Sequence, residues 1–188
     1  SKQFLKLLEG PDGEPESMIM RVYRQASRVA PGVRIVVATG KKQISAIRNQ
    51  LGDRVDICVE PDRRDTFPAI CLAASFLADE RKVPGEEPVI ICPVDPYVED
   101  SYFEAFAEMA ALAAENRAAL TLLGLEPTYP SEKYGYIIPE DGERVSRVAA
   151  FKEKPDLSTA RQYLAQGALW NGGVFACRLD YLLEKAHE

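Results

Sequence analysis

A chain of 188 residues with 46% hydrophobic content can bury one sizeable core and lies within the usual range for a single domain. A formal net charge of -6 gives no basic field to gather a phosphate backbone, which excludes nucleic acid as a partner but leaves single bound phosphates open. No run reaches the ~18 apolar residues of a membrane span, and no charged-then-apolar leader is present, so the expectation is a cytoplasmic protein without a membrane partner.

Taken in chain order, a turn at Gly10-Pro11-Asp12-Gly13 precedes the apolar spacing Met18, Ile19, Val22, Ala26, Val29, which predicts a helix stopping at Pro31-Gly32. RIVVATG (34–40) reads as a strand and KKQISAIRNQLG (41–52) as a helix stopped by Gly52. VDICVEP (55–61) reads as a short apolar strand, and TFPAICLAASFLADE (66–80) as a helix with Thr66 as N-cap. The alternation continues with a strand in EPVIICPVD (87–95), a long helix in SYFEAFAEMAALAAENR (101–117) and a strand in AALTLLGL (118–125). Long helices between apolar strands call for parallel pairing with right-handed crossovers. YGYIIPED (134–141) and RVSRVAAFKEKP (144–155) alternate more, and Asp141-Gly142 between them is a hairpin-type turn. The predicted class is α/β, a Rossmann-like three-layer sandwich whose sheet is mostly parallel with an antiparallel excursion in the second half. One domain covers residues 1–188. Because the chain opens at Ser1 and closes inside the helical YLLEKAHE, that domain is expected to be incomplete at both ends.

Cys58, Cys71, Cys92 and Cys177 are widely separated and lie in apolar runs, which suits inert core thiols in a reducing compartment. His187 alone can build neither a metal site nor a triad, and it takes no role.

In an open α/β sheet, ligands bind at the carboxyl ends of the strands, so the loops after the strands carry the chemistry. In CPVDPYV, Asp95 emerges directly from a buried strand between two prolines that fix the backbone. Such a carboxylate suits Mg²⁺, which takes one or two protein carboxylates and completes its shell with water and phosphates. The plainer reading is a turn cap. In FKEKP, Glu153 can accept from sugar hydroxyls while Lys154 offers a point charge for a phosphate, with the two pointing in opposite directions at a strand end. A solvated strand is the alternative. Asn171 can donate and accept, and Gly172-Gly173 after it allow close backbone approach. A turn entering VFAC would explain the same residues.

In order, EPDRRDTFPAI (60–70), PVD (93–95), YGYI (134–137), FKEKP (151–155) and WNGGVF (170–175) resemble the sugar-nucleotide pyrophosphorylases, most closely their mannose-1-phosphate guanylyltransferase branch. SKQFLKL at the start is similar to the family's PKQFL-type segment. The resemblance implies transfer of a guanylyl group from GTP to mannose 1-phosphate, giving GDP-mannose and pyrophosphate with Mg²⁺. Lys2 would lie near the nucleotide phosphates and Asp95 would hold the metal, as the catalytic pair. Gly135 would present its backbone to the sugar, Glu153 and Asn171 would bind hydroxyls, and Lys154 the sugar phosphate.

Glu60 ends its strand, is held by Pro61 and precedes the Arg64-Asp65-Thr66 turn. Guanine presents two adjacent donors on its pairing edge that one carboxylate can accept in parallel, so Glu60 could read the base, with Thr66 and Pro68 as a floor beneath it. A helix cap or an ion pair with Arg63 or Arg64 is the competing role.

Departures from the family pattern stand out. The glycine-rich loop of type GGxGxRLWP is expected before Lys2 and a second metal-binding aspartate beyond residue 188. Ser1 replaces the usual proline, and Pro96 a frequent histidine. Alternatives are a uridylyl-, thymidylyl- or adenylyltransferase acting on glucose 1-phosphate, and an inactive regulatory subunit that binds a sugar nucleotide. A plain dinucleotide module ranks last, since no G-x-G-x-x-G follows a strand. A homodimer is compatible with the family.

Overall fold

The computed structural model describes residues 2–187, so the departure noted at Ser1 lies outside the described residues, as does Glu188. The chain divides into two compact units, Ser1–Thr121 with Ala176–Glu188, and Leu122–Phe175.

In the first unit a 3-10 turn, Lys2–Phe4, leads into β1 (Lys6–Glu9), which pairs antiparallel with β2 (Pro15–Ser17) across the predicted turn. Gly13 closes that turn at φ +76°, a left-handed conformation that costs glycine little. α1 (Met18–Ala26) starts on Ser17, whose hydroxyl oxygen accepts from the Met20 amide at 3.4 Å. The helix ends at Ala26, short of the predicted Val29, where Ser27 turns its hydroxyl back onto the Tyr23 carbonyl at 2.6 Å.

β3 (Val36–Gly40) and β4 (Asp56–Glu60) pair in parallel with Val37 opposite Ile57 and Gly40 opposite Glu60. Between them runs α2 (Ile44–Leu51), ended as predicted by Gly52 at φ +59°. Ile19 of α1, Ile47 and Leu51 of α2, and Val55 form a buried cluster against which Val37 and Ile57 pack. α3 (Thr66–Asp79) packs on the same two strands and against α6 (Leu179–Ala186). Its N-cap is Asp65, not Thr66: the Asp65 carboxylate accepts from the Thr66 amide at 2.9 Å, so the cap falls one residue early. β5 (Pro88–Ile91) precedes α4 (Asp100–Ala114).

The second unit holds most of β6 (Thr121–Leu125), then β7 (Tyr136–Pro139), β8 (Val148–Lys152) and α5 (Leu157–Ala165). β9 (Leu169–Arg178) carries the chain out of this unit and into the first. Strand order in the five-stranded sheet is β5-β9-β7-β8, with β6 also pairing β9. β7 lies antiparallel to both β8 and β9, with Tyr136 opposite Lys152 and Trp170, which bears out the antiparallel excursion. The β7–β8 loop is wider than a two-residue turn at Asp141-Gly142. It closes where the Glu140 amide donates to the Arg147 carbonyl at 2.9 Å, and Asp141 and Ser146 side chains satisfy amides inside it.

Gly124 and Gly172 permit close packing of β6 on β9: a Cβ on Gly124 would stand 2.5 Å from Leu169 Cδ1. Among the described residues no helix is long and apolar enough to cross a membrane. The α/β class, with parallel pairing of β3 and β4 in the first half and an antiparallel excursion in the second, is thus as the sequence predicts.

Candidate active site

The loop after β5 is anchored on both sides of Asp95. On its upstream side Val94 packs against the α1–α2 cluster, as does Phe4 of the first turn. Gln50 of α2 holds that turn by donating to the Phe4 carbonyl at 2.9 Å. These two anchors bring Lys2 Nζ to 3.8 Å from the Asp95 carboxylate, with both side chains exposed. The predicted catalytic pair is therefore together, and it faces water where a triphosphate could reach it.

Downstream of Asp95 the loop is gripped by α1. Arg21 Nη2 donates to the Val98 carbonyl at 3.0 Å, and its guanidinium lies 4.6 Å over the Tyr97 ring. Gln25, only 2% exposed, donates from its amide nitrogen to the same carbonyl at 3.2 Å and to Asp100 Oδ1 at 2.8 Å. The Gln25 hydrogen bond, helped by Arg28 and Arg24, holds the Asp100 carboxyl below its ordinary range. Sequence reasoning missed these two residues. The available signal was Gln25 itself, a polar residue that follows Ile19 and Val22 at a spacing of three on the apolar face of a helix. A depression of about 280 Å³ beside this grip, lined by Gly10, Arg21, Arg24, Glu99 and Asp100 among others, contains none of the predicted site residues.

Glu60 ends β4 half-buried, and among the described residues it pairs with neither Arg63 nor Arg64. Its charge, after burial, helps to push the Cys58 thiol up from its ordinary value. Pro61, Arg64, Thr66 and Pro68 line the exposed start of α3. Asp65 there adopts φ +77°, a conformation costly for a residue with a side chain.

In the second unit Gly135, Glu153 and Asn171 converge. The Asn171 amide donates to the Gly135 carbonyl at 2.8 Å. A Cβ on Gly135 would lie 2.6 Å from Glu153 Oε2 and 3.4 Å from Asn171 Cβ. Only glycine leaves that carboxylate its place. The Asn171 side-chain oxygen accepts from the Gly173 amide at 3.1 Å, and Gly173 takes φ +70° inside a continuous strand, so WNGGVF is no turn before a strand. Glu153 and Lys154 lie just past the end of β8 and do not point apart. Lys154 Nζ pairs with Glu153 Oε1 at 3.3 Å, because the backbone at Lys154 is left-handed, φ +43°, with its amide donating to the Tyr134 carbonyl at 3.2 Å.

Among the described residues no group of three or more His, Cys, Asp or Glu side chains could cage a metal. An exposed lone carboxylate such as Asp95 fits Mg²⁺ in its substrate-assisted mode, with water and phosphate oxygens completing the octahedron. Cys92, before this loop, is pushed up to about 11 by burial and stays a protonated thiol.

The Nucleotidyl transferase family model matches residues 9–188. Xanthan biosynthesis protein XanB from Xanthomonas campestris pv. campestris (strain B100) is 37% identical over 98% of this chain and 38% of its own length. Mannose-1-phosphate guanylyltransferase from Salmonella muenchen is 31% identical over 98% of this chain and 39% of its own length. The chain thus spans about two fifths of these relatives. The crystal structure of mannose-1-phosphate geranyltransferase from Thermus thermophilus matches with a TM-score of 0.80 at 28% identity, over 99% of this chain and 59% of that one. By the match over residues 9–188, the chain belongs to the Nucleotidyl transferase family.

Proposed function

We propose that the protein transfers GMP from GTP to mannose 1-phosphate, releasing pyrophosphate and forming GDP-mannose. The observation that carries this reading is the Lys2–Asp95 pair, a cation on the first 3-10 turn and a metal-type carboxylate on the loop after β5, 3.8 Å apart, within a family of nucleotidyl transferases. The choice of guanine and mannose is supported by the guanylyltransferase relative at 31% identity.

The nucleophile is the substrate's own phosphate oxygen, which attacks the α-phosphorus in line as pyrophosphate leaves. No side chain has to remove a proton. Positioning and charge neutralisation then account for the rate. Asp95 would hold Mg²⁺, which when bound supplies Lewis-acid charge to the phosphates. Lys2 neutralises phosphate oxygens beside it. Glu60 accepts from the two donors of guanine, with Pro61, Arg64, Thr66 and Pro68 shaping the surface under the base and ribose. Glu153 and Asn171 accept and donate to sugar hydroxyls, Gly135 leaves Glu153 the place from which it does so and presents its backbone to the sugar, and Lys154 turns from Glu153 to the sugar phosphate. A left-handed lysine is a conformation kept at a cost, which accords with a fixed task.

The test is pyrophosphate release by the full-length protein with GTP, UTP, dTTP or ATP against mannose 1-phosphate or glucose 1-phosphate. GTP with mannose 1-phosphate is expected to be turned over fastest. A faster glucose 1-phosphate pair would replace this reading with another nucleotidylyltransferase, and ligand binding without release would replace it with a regulatory subunit.

A further inference from the structure

We infer that Gln25, together with Arg21, is a positioning residue for Asp95: a clamp on α1 that sets where the metal-binding carboxylate stands. The inference rests on the reading of Asp95 as a Mg²⁺ ligand. Its basis is how the clamp's hydrogen bonds are distributed. Arg21 and Gln25 both donate to a single backbone carbonyl, that of Val98, three residues past Asp95. Gln25 also reaches Asp100, the first residue of α4, so one amide group ties the end of the loop to the helix that follows. On the other side of Asp95 the loop is fixed by Val94 in the apolar cluster. Pro93 and Pro96, on either side of the Val94-Asp95 pair, limit the backbone further. Asp95 is exposed, so its own side chain has little packing to locate it, and its position follows from the flanks.

A role in stability alone accounts poorly for these side chains. Gln25 Oε1 and Arg21 Nε are both buried with no hydrogen-bond partner among the described residues. Leaving a polar atom buried and unpaired is unfavourable, and a methionine at position 25 would fill the same space without it. What methionine cannot do is hold Val98 and Asp100. The polar choice therefore serves the loop.

The experiment titrates Mn²⁺ together with GTP, and without mannose 1-phosphate, against the full-length protein, followed by electron paramagnetic resonance, with thermal unfolding measured in parallel. Gln25→Met is expected to weaken Mn²⁺ binding about tenfold, the scale of losing an outer-shell partner of a metal ligand, without lowering the unfolding temperature. Binding within about twofold of the parent, where an outer-shell loss should be larger, overturns the inference, as does a fall in unfolding temperature with affinity intact. Should Gln25→Met fail to fold, Arg21→Met removes the other hydrogen bond to Val98 and is held to the same two outcomes. Asp95→Asn in the same titration separates the two ideas. If it leaves Mn²⁺ binding unchanged, the metal reading fails and takes the clamp with it; if it abolishes binding while the clamp variants do not weaken it, only the clamp fails.

Discussion

Asp95 and Gly135 show how much of a site one residue can carry. Asp95 belongs to no group of three or more potential metal ligands among the described residues, so no such group can cover its loss. In the full-length protein Asp95→Asn should leave far-ultraviolet circular dichroism unchanged and lower kcat by roughly 100-fold or more, the equivalent of several kcal/mol of lost charge stabilisation. Turnover close to the parent's would return Asp95 to the role of a turn cap. The sequence singled out this residue because its position after a buried strand is a local property. Gly135 was named only through resemblance, and its physical reason is non-local: the space its missing side chain leaves is filled by Glu153 from β8's end and bordered by Asn171 from β9. Periodicity cannot report such a convergence.

Strands and helices were legible where their cause was local, and less so where a side chain from elsewhere intervened. α2 and its glycine stop follow from apolar spacing and from a residue free to adopt φ +59°. The early end of α1 and the wide β7–β8 loop come from hydroxyl and carboxylate groups of Ser27, Asp141 and Ser146 competing for backbone partners, which spacing rules do not weigh.

At the start of α5, Asp156 accepts from Ser158 and from the Thr159 amide at 2.8 Å, and these hydrogen bonds hold its carboxyl down to about 2. Since its folded value lies below the ordinary 3.8, the stabilisation is fully present above that value and is lost as pH falls toward 2. Asp156→Ala should therefore lower the unfolding temperature at neutral pH, and the gap to the parent should shrink between these two pH values. A gap that does not change with pH would mean that the charge contributes nothing. Where β6 meets β9, Gly124→Ala puts a methyl group 2.5 Å from Leu169 Cδ1 and 2.9 Å from its Cβ. Strands this close can yield only by repacking, so a loss of about 1–3 kcal/mol is expected in denaturant unfolding. A neutral result would show that Leu169 moves aside freely.

For the molecule as a whole, the α/β class and the antiparallel second half could be read from alternating apolar runs, but the division into two units could not. β9 explains why. It reads as one continuous strand, yet the unit boundary falls inside it, at Phe175–Ala176, and no glycine, proline or charge marks the crossing. In the proposed reaction Lys2, Glu60 and Asp95 take the nucleotide and metal, and Gly135, Glu153, Lys154 and Asn171 take the sugar phosphate.

The most direct test of that division is a crossed measurement of Michaelis constants in the full-length protein, with Glu60→Gln and Lys154→Met each assayed against both substrates. Losing one hydrogen-bonded charge should cost about 1.5–3 kcal/mol, or roughly tenfold to a hundredfold in the affected constant. Glu60→Gln is expected to raise KM for GTP and leave that for mannose 1-phosphate, while Lys154→Met does the reverse. If either variant moves both constants by the same factor, the two groups of residues do not serve separate halves of the reaction, and the proposed division is contradicted.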